Sequence, residues 1–209
     1  MAVEVQWIGH ASFRIAGAGT VIYVDPWKLR GEPHDADIVF ISHGHHDHCS
    51  VADIAKVSKS DTSLIAPPDV VEKLHAANAV GPGENLTLKE VSIETVAAYN
   101  TDKPYHPRAN EWCGAVFTLA GKRIYYAGDT DLVKEMRGLK DVDLALLPVG
   151  GTYTLDAVQA ARACEVIAPK AAVPYHWGDV VGSRADADAF AQAAPCKVHV
   201  LTPGKTLRL

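Results

Sequence analysis

What the chain lacks narrows its identity first. No apolar run approaches the roughly 20 residues that a membrane span requires, so no membrane insertion is expected. The opening Met1 to Gln6 has neither a basic n-region nor an apolar h-region, and no signal peptide is expected. The net charge of −5 contains no basic block and no acidic tail. That argues against the electrostatic footprint of a protein that grips long nucleic acid. Cysteine is sparse: Cys49, Cys113, Cys164 and Cys196 are scattered and form no Cys-x-x-Cys pair. They read as reduced, buried small hydrophobes of a cytoplasmic protein. No repeat, low-complexity tract or linker is visible, and neither is a Ser-His-Asp arrangement or a phosphate-cradling glycine loop.

What is present is a 209-residue chain, 48% hydrophobic, enough for one sizeable core. A single domain over 1–209 is expected. Within it, four of the ten histidines fall inside the six residues 43–48 of Ser42-His43-Gly44-His45-His46-Asp47-His48-Cys49-Ser50. The preceding Asp37 to Ile41 reads as a short buried strand. Ser50 with Asp53 three residues on reads as a helix start with a capping-box-like pair. The histidines therefore belong to a strand-to-helix loop. Alternation near the strand end sends His43 and His45 to one side, and Asp47 and His48 can close on the same spot from the turn. Imidazoles and a carboxylate are ligands for zinc and similar divalent ions. One ion cannot easily use all four groups and stay open to substrate; two adjacent ions can, if other loops supply the rest.

Along the rest of the chain, Val3 to Ile8, Ser12 to Ile15 and Thr20 to Asp25 read as a meander with His10 in its first turn. Thr62 to Ala66 reads as a strand. A helix from Pro67-Pro68 is expected with Val70, Leu74 and Ala77 on its apolar face, ending at Gly81-Pro82-Gly83. Leu86 to Leu88, Val91 to Ala98, Trp112 to Leu119 and Arg123 to Ala127 read as a second set of strands, and polar Asn100 to Glu111 as a loop. Val142 to Leu147, Ala171 to Val173, Val198 to Leu201 and Thr206 to Leu209 complete the strands. Helices are expected after a Thr154 cap, with Ala157, Ala161, Cys164 and Ala168 on one face, and after a Ser183 cap. Strand-rich and βα-alternating stretches in both halves favour an α+β, four-layer αββα sandwich. Three strands end in loops with unusual polar residues, at His43, Asp129 and His176. Ligands converging from several strand ends on one edge is how such folds build a site.

The motif His43-x-His45-x-Asp47-His48, then Gly128-Asp129-Thr130, then Tyr175-His176, resembles the metallo-β-lactamase-fold hydrolases. Trp7-Ile8-Gly9-His10-Ala11-Ser12-Phe13 and Val24-Asp25-Pro26-Trp27 look like the branch of small metal-dependent hydrolases that also holds L-ascorbate 6-phosphate lactonase and N-acylphosphatidylethanolamine phospholipase D. Tyr99 to Pro107 also looks like the small-hydrolase members. The resemblance implies two divalent ions. The first would take His43, His45 and a later histidine, for which His106 is the candidate. The second would take Asp47, His48 and His176, with Asp129 bridging the two. Zinc is the first expectation, with manganese, iron and nickel compatible.

The implied chemistry is attack by a metal-activated hydroxide on a small ester, lactone or phosphodiester. Asp47 would take the nucleophile's proton, Asp129 would bridge, and His10 would serve the leaving group. Asp25 is expected to orient ligands from behind. His10, His46, Tyr105 and Trp177 are candidates for the substrate rim. Lys103 and Arg108 are loop charges that could meet an anionic group, and His34, His75 and His199 have no neighbours of interest. The partner is then a small-molecule substrate, with a homo-oligomer compatible with the sequence. The competing readings are a non-catalytic metal-binding module of the same fold and a diiron redox protein. His45 stands where that redox branch typically carries glutamate, which disfavours the latter.

Overall fold

The computed structural model describes residues 2–74 and 78–209. In chain order the elements are β1 (Glu4–Gly9), β2 (Ser12–Gly17), β3 (Thr20–Val24), β4 (Ala36–Phe40), α1 (Val51–Val57), β5 (Ser58–Ala66), α2 (Pro68–Leu74), β6 (Asn78–Ala79), β7 (Asn85–Leu88), β8 (Val91–Ala97), β9 (Cys113–Leu119), β10 (Lys122–Tyr126), β11 (Leu144–Pro148), α3 (Ala157–Ile167), β12 (Ala171–Tyr175), α4 (Arg184–Ala193), β13 (Lys197–Val198) and β14 (Thr206–Arg208). They form two sheets, ordered β14-β1-β2-β3-β4-β5-β6 and β13-β12-β11-β10-β9-β8-β7.

Side-chain alternation along β3 and β4 shows how the layers arise. Ile22, Val24, Ile38 and Phe40 turn inward to the large core shared with Ile93, Phe117, Ile124 and Tyr126 of the other sheet. Tyr23, Val39 and Ile41 turn outward to Ile54 and Val57 of α1 and Val70 of α2. That is the period-2 rule applied to a sheet covered on both faces. Phe40 meets Phe117 edge to face across the sandwich, ring centroids 5.4 Å apart. On the far side α3 packs on β11 and α4 on β12, through Ala160, Ala163, Cys164, Ile167, Ala187 and Phe190. The four-layer αββα arrangement expected from the sequence is therefore present.

Strands β3, β4 and β5 run parallel to one another, as do β10, β11, β12 and β13. Parallel neighbours end at the same edge, so the loops after β3, β4, β10 and β12 can gather there.

Several local expectations are corrected. The α3 cap is Asp156, not Thr154: Asp156 and Gln159 form a reciprocal capping box that satisfies two orphan N–H groups. Thr154 is fully buried with its hydroxyl on the Leu155 carbonyl. Ala168 closes α3 in a left-handed conformation and is exposed. Strand β5 begins at Ser58, because α1 passes straight into it. Asn78–Ala79, expected within a helix, pair in parallel with Ile65–Ala66. Ala77 and His75 lie outside the described residues. Of the expected late strand Val198 to Leu201, Val198 alone lies in β13, which with Lys197 pairs with β12, and β12 continues through Pro174 to Tyr175.

Candidate metal centre

Six segments deliver side chains to one edge of the sandwich. The β1–β2 turn carries His10, and the residue after β3 is Asp25. The β4–α1 loop carries His43, His45, Asp47 and His48. The loop after β8 carries Asn100 and His106, and the residues after β10 and β12 carry Asp129 and His176. The β4–α1 loop is tightened by Cys49 and His48 N–H groups donating to the His45 carbonyl at 2.8 and 3.1 Å. It stops where Ser50 caps α1 by accepting the Asp53 N–H. Three non-glycine residues here adopt positive φ: His10 at 47°, Asp25 at 43° and His176 at 61°. Such conformations cost of order 1–3 kcal/mol each and persist where the surroundings over-determine them. His176 is held by donating its N–H to the His10 carbonyl, which also accepts from the Trp7 indole, both at 3.0 Å.

The ligand-type atoms fall into two main groups, joined by a third made of Asp25, His43 and His48 in which Asp25 is already engaged by hydrogen bonds. His43, His45 and His106 form one, and His10, Asp47, His48 and His176 the other, each with atoms mutually within 4.8 Å. Asp129 stands between them. Its Oδ1 is 3.4 Å from His48 Nε2, and its Oδ2 is 3.4 Å from His106 Nε2 and 3.0 Å from His176 Nε2. The sequence-expected set is thus brought together, and His10 joins the second group, buried rather than on an exposed rim.

Three of the six imidazoles have a partner behind them. Fully buried Asp25 accepts from Ser42 N–H (2.7 Å), Ser42 Oγ (2.5 Å), Tyr126 OH (2.6 Å) and His48 Nδ1 (2.6 Å). Ser42 has one hydroxyl proton and gives it to Asp25, so its Oγ accepts from His43 Nδ1 at 2.9 Å. Asn100 Oδ1 faces His106 Nδ1 at 3.0 Å. Each bond leaves an Nε2 aimed at the centre, which is how ligating histidines are oriented. Asp25 had been expected to act from behind. Ser42, Asn100 and Tyr126 had not, and only the position of Ser42 beside the motif hinted at them.

Do these groups fit a cation? His48, His106 and His176 Nε2 and Asp129 Oδ1 are buried without a hydrogen-bond partner, and groups like these call for an explanation. His43 Nε2 and His45 Nδ1 point at each other across 3.0 Å. Among the described residues, the only basic side chains within 4 Å of Asp25, Asp47 or Asp129 are histidines. Three buried carboxylates without lysine or arginine, and nitrogen lone pairs converging on them, suit divalent cations.

The titration preferences divide: four imidazoles favour the neutral form, while the carboxylates around His48 draw it toward positive charge. Burial lowers His43 well below the ordinary imidazole value, His45 and His10 less far, and His106 to about 4, which favours neutral ligands. Burial works against the Asp129 charge, but His176 and His48 override it and hold the carboxyl well below its usual range. Asp47 is likewise held low, because the His10 hydrogen bond and the His48 charge outweigh burial. Burial also opposes a charge on His48, but Asp129 and Asp25 raise its pKa well above normal.

Two of the four tryptophans lie against imidazoles of the centre, and the other two pack on each other beside it. Trp112 lies 4.9 Å from His43 and 5.0 Å from His45, Trp27 lies 5.1 Å from His10, and Trp177 packs on Trp7 at 4.9 Å. Beside His10 is a cavity of about 800 Å³ bounded by Trp27, Lys28, Arg30, Trp177 and Asp179. Lys28 lies over the Trp27 ring at 4.1 Å and pairs with Asp179 at 2.8 Å, linking the loops after β3 and β12. The remaining expected rim residues diverge. His46 is exposed and 6.1 Å from Trp27, and exposed Tyr105 packs on Tyr153. Lys103 is engaged by Asp131 and Arg108 by Glu135. His34 bonds the Ser58 carbonyl away from the centre.

Comparison with known proteins agrees with the geometry. A family model described as a β-lactamase superfamily domain matches residues 4–176. A protein of Thermococcus onnurineus described as a UPF0173 metal-dependent hydrolase is 32% identical, over 99% of this chain and all of that one. A crystal structure described as a metal-dependent hydrolase from Parabacteroides distasonis superposes with a TM-score of 0.84 at 34% identity, covering 94% of this chain and 91% of that chain. A metallo hydrolase from Ignicoccus hospitalis superposes with a TM-score of 0.82 at 26% identity, covering 100% and 99%.

Proposed function

The chain belongs to the β-lactamase superfamily, among its UPF0173 metal-dependent hydrolases, and from that premise we propose that it is a binuclear enzyme cleaving a small ester, lactone or phosphodiester. The observation that carries the binuclear reading is Asp129, whose two oxygens reach histidines of both ligand groups within 3.4 Å. His43, His45 and His106 would hold one ion, Asp47, His48 and His176 the other, and Asp129 both. When bound, such ions lower the pKa of water and polarise a substrate oxygen.

The chain's own groups supply the rest. Asp47 Oδ2 accepts the proton of the attacking water. Held at low pKa, it is a poor resting place for that proton; His10, whose Nε2–H donates to it at 2.9 Å, would give its own proton to the leaving group and take the Asp47 proton in its place. The tryptophans beside the centre exclude water and strengthen electrostatic contacts inside. The cavity beside His10 has room for the non-reacting part of a small substrate. The competing non-catalytic reading would be favoured by a missing ligand, and every expected position is filled.

The test is metal analysis of pure protein together with a turnover screen on p-nitrophenyl phosphodiesters, phosphomonoesters and lactones. Two ions per chain and turnover of one class are expected. One ion per chain at saturating metal would end the binuclear reading, and no turnover of any class by the fully loaded protein would end the hydrolytic one.

A further inference from the structure

The side chain of Asn100 makes three bonds. Its Oδ1 accepts the His106 backbone N–H at 3.0 Å and faces His106 Nδ1 at 3.0 Å, while its Nδ2 donates to the Tyr153 carbonyl at 2.9 Å. A backbone N–H can only donate and a backbone carbonyl can only accept, so the amide has one possible orientation. An imidazole nitrogen facing that Oδ1 must carry the proton. The Nε2 lone pair of His106 is therefore directed at Asp129 Oδ2, 3.4 Å away, where it finds no hydrogen bond. Two acceptors facing each other in a buried site repel, and a cation between them relieves that cost.

We infer that Asn100 is a positioning residue that fixes the tautomer of His106 and thereby completes the three-histidine half of the centre. The inference rests on the two-ion reading above. It also separates the two halves chemically. His48 is backed by the Asp25 carboxylate at 2.6 Å, whereas His43 and His106 are backed by a hydroxyl and an amide. A neutral partner raises ligand basicity less than a carboxylate does. The half built from His43, His45 and His106 also has no carboxylate free to ligate besides the shared Asp129, since Asp25 near His43 is taken up by four donors. Asn100 sets how readily this half releases its ion.

Further bonds tie this loop to the Asp129 segment. Asp131 N–H donates to the Tyr99 carbonyl at 3.0 Å, and Asp131 Oδ2 accepts from Thr101 N–H at 2.8 Å. The loop thus has anchors independent of Asn100, so loss of the amide is a local change.

The experiment has two readouts. Nitrogen-15 NMR of the metal-free wild-type protein reports the His106 tautomer directly; Nδ1–H is expected, and Nε2–H would overturn the inference. Zinc titration against a chromophoric chelator then compares wild type, Asn100→Ala, Asn100→Asp and His106→Ala. Asn100→Ala is expected to weaken one zinc equivalent by about 10–100-fold while leaving the other unchanged. Asn100→Asp keeps an acceptor for both His106 bonds and is expected to retain both equivalents. Equal weakening of both equivalents, or of neither, in Asn100→Ala overturns the positioning role. Should that variant fail to fold, the wild-type tautomer decides alone, Nε2–H overturning the inference. A wild-type protein that takes up a single zinc ion defeats the two-ion reading instead, and the NMR result still decides the tautomer.

Discussion

Gly150, just after β11, lies against His176, just after β12, so closely that a Cβ on it would stand 2.5 Å from the His176 carbonyl oxygen and 3.2 Å from its Nδ1. The contact leaves no room for a side chain and seats a ligand-type histidine that already has a positive φ. Gly150→Ala must therefore push His176 away. Overpacking of this kind costs about 1–3 kcal/mol. The expected outcome is a lower thermal midpoint and metal uptake reduced toward one ion per chain, read by calorimetry and metal analysis. Unchanged uptake would show that His176 is not a ligand.

Asp129→Ala removes the carboxylate shared by both groups. Turnover is expected to fall to background and metal content to drop, while circular dichroism reports an intact fold. Normal activity would refute the bridging role.

Asp25 and Tyr126 separate a buried charge from a hydrogen bond to it. Tyr126→Phe removes one of four donors to Asp25 and is expected to cost about 1 kcal/mol. Asp25→Ala strands the Ser42 hydroxyl, the Tyr126 hydroxyl and His48 Nδ1 and is expected to cost about 3–5 kcal/mol. Denaturant unfolding of both variants measures the difference. Equal costs would mean that Asp25 is not the hub of this network.

Asp53 ties two segments together. It bonds Ser50 at the start of α1 and accepts the N–H groups of Lys28 and Leu29 at 2.9 and 3.2 Å, which steadies the loop carrying Trp27. Asp53→Ala is expected to lose about 1–2 kcal/mol. Burial favours the neutral acid, but Lys56, Ser50 and those N–H groups outweigh it and lower the Asp53 pKa. Its folded pKa thus lies below the unfolded one. The stabilising contribution is complete above roughly pH 4 and is lost as pH falls further. In Asp53→Ala the acid side of the stability–pH curve should be shallower; an unchanged slope would contradict this.

Removal of metal by a chelator is expected to lower the thermal midpoint, because an ion at a hundred times its Kd stabilises a folded site by about 2.7 kcal/mol. Restoring zinc should recover it. Identical melting curves with and without chelator would show that the centre holds no ion in solution.

Much of the architecture was legible because it is local. The unbroken apolar run Ile38 to Ile41 marked a buried strand, and the Ser50–Asp53 pair and the Ser183 cap marked two helix starts. Where two signals competed, the stronger chemistry won: Asp156 with Gln159 satisfies two N–H groups, which Thr154 does not. The short pairs at β6 and β13 were not legible, because two-residue strands carry no period and form only when a neighbouring edge accepts them.

By itself, the sequence determined which ligand chemistries are available and the strand ends from which they project, since both follow from residue type and short-range pattern. Apart from Asp25, tertiary structure alone decided which side chains stand behind them. Asp25 meets Tyr126 across 101 positions, Asn100 turns His106 by its Nδ1, and Gly150 makes way for His176. Those meetings depend on sheet order, register and the space between backbones, which no local spacing encodes.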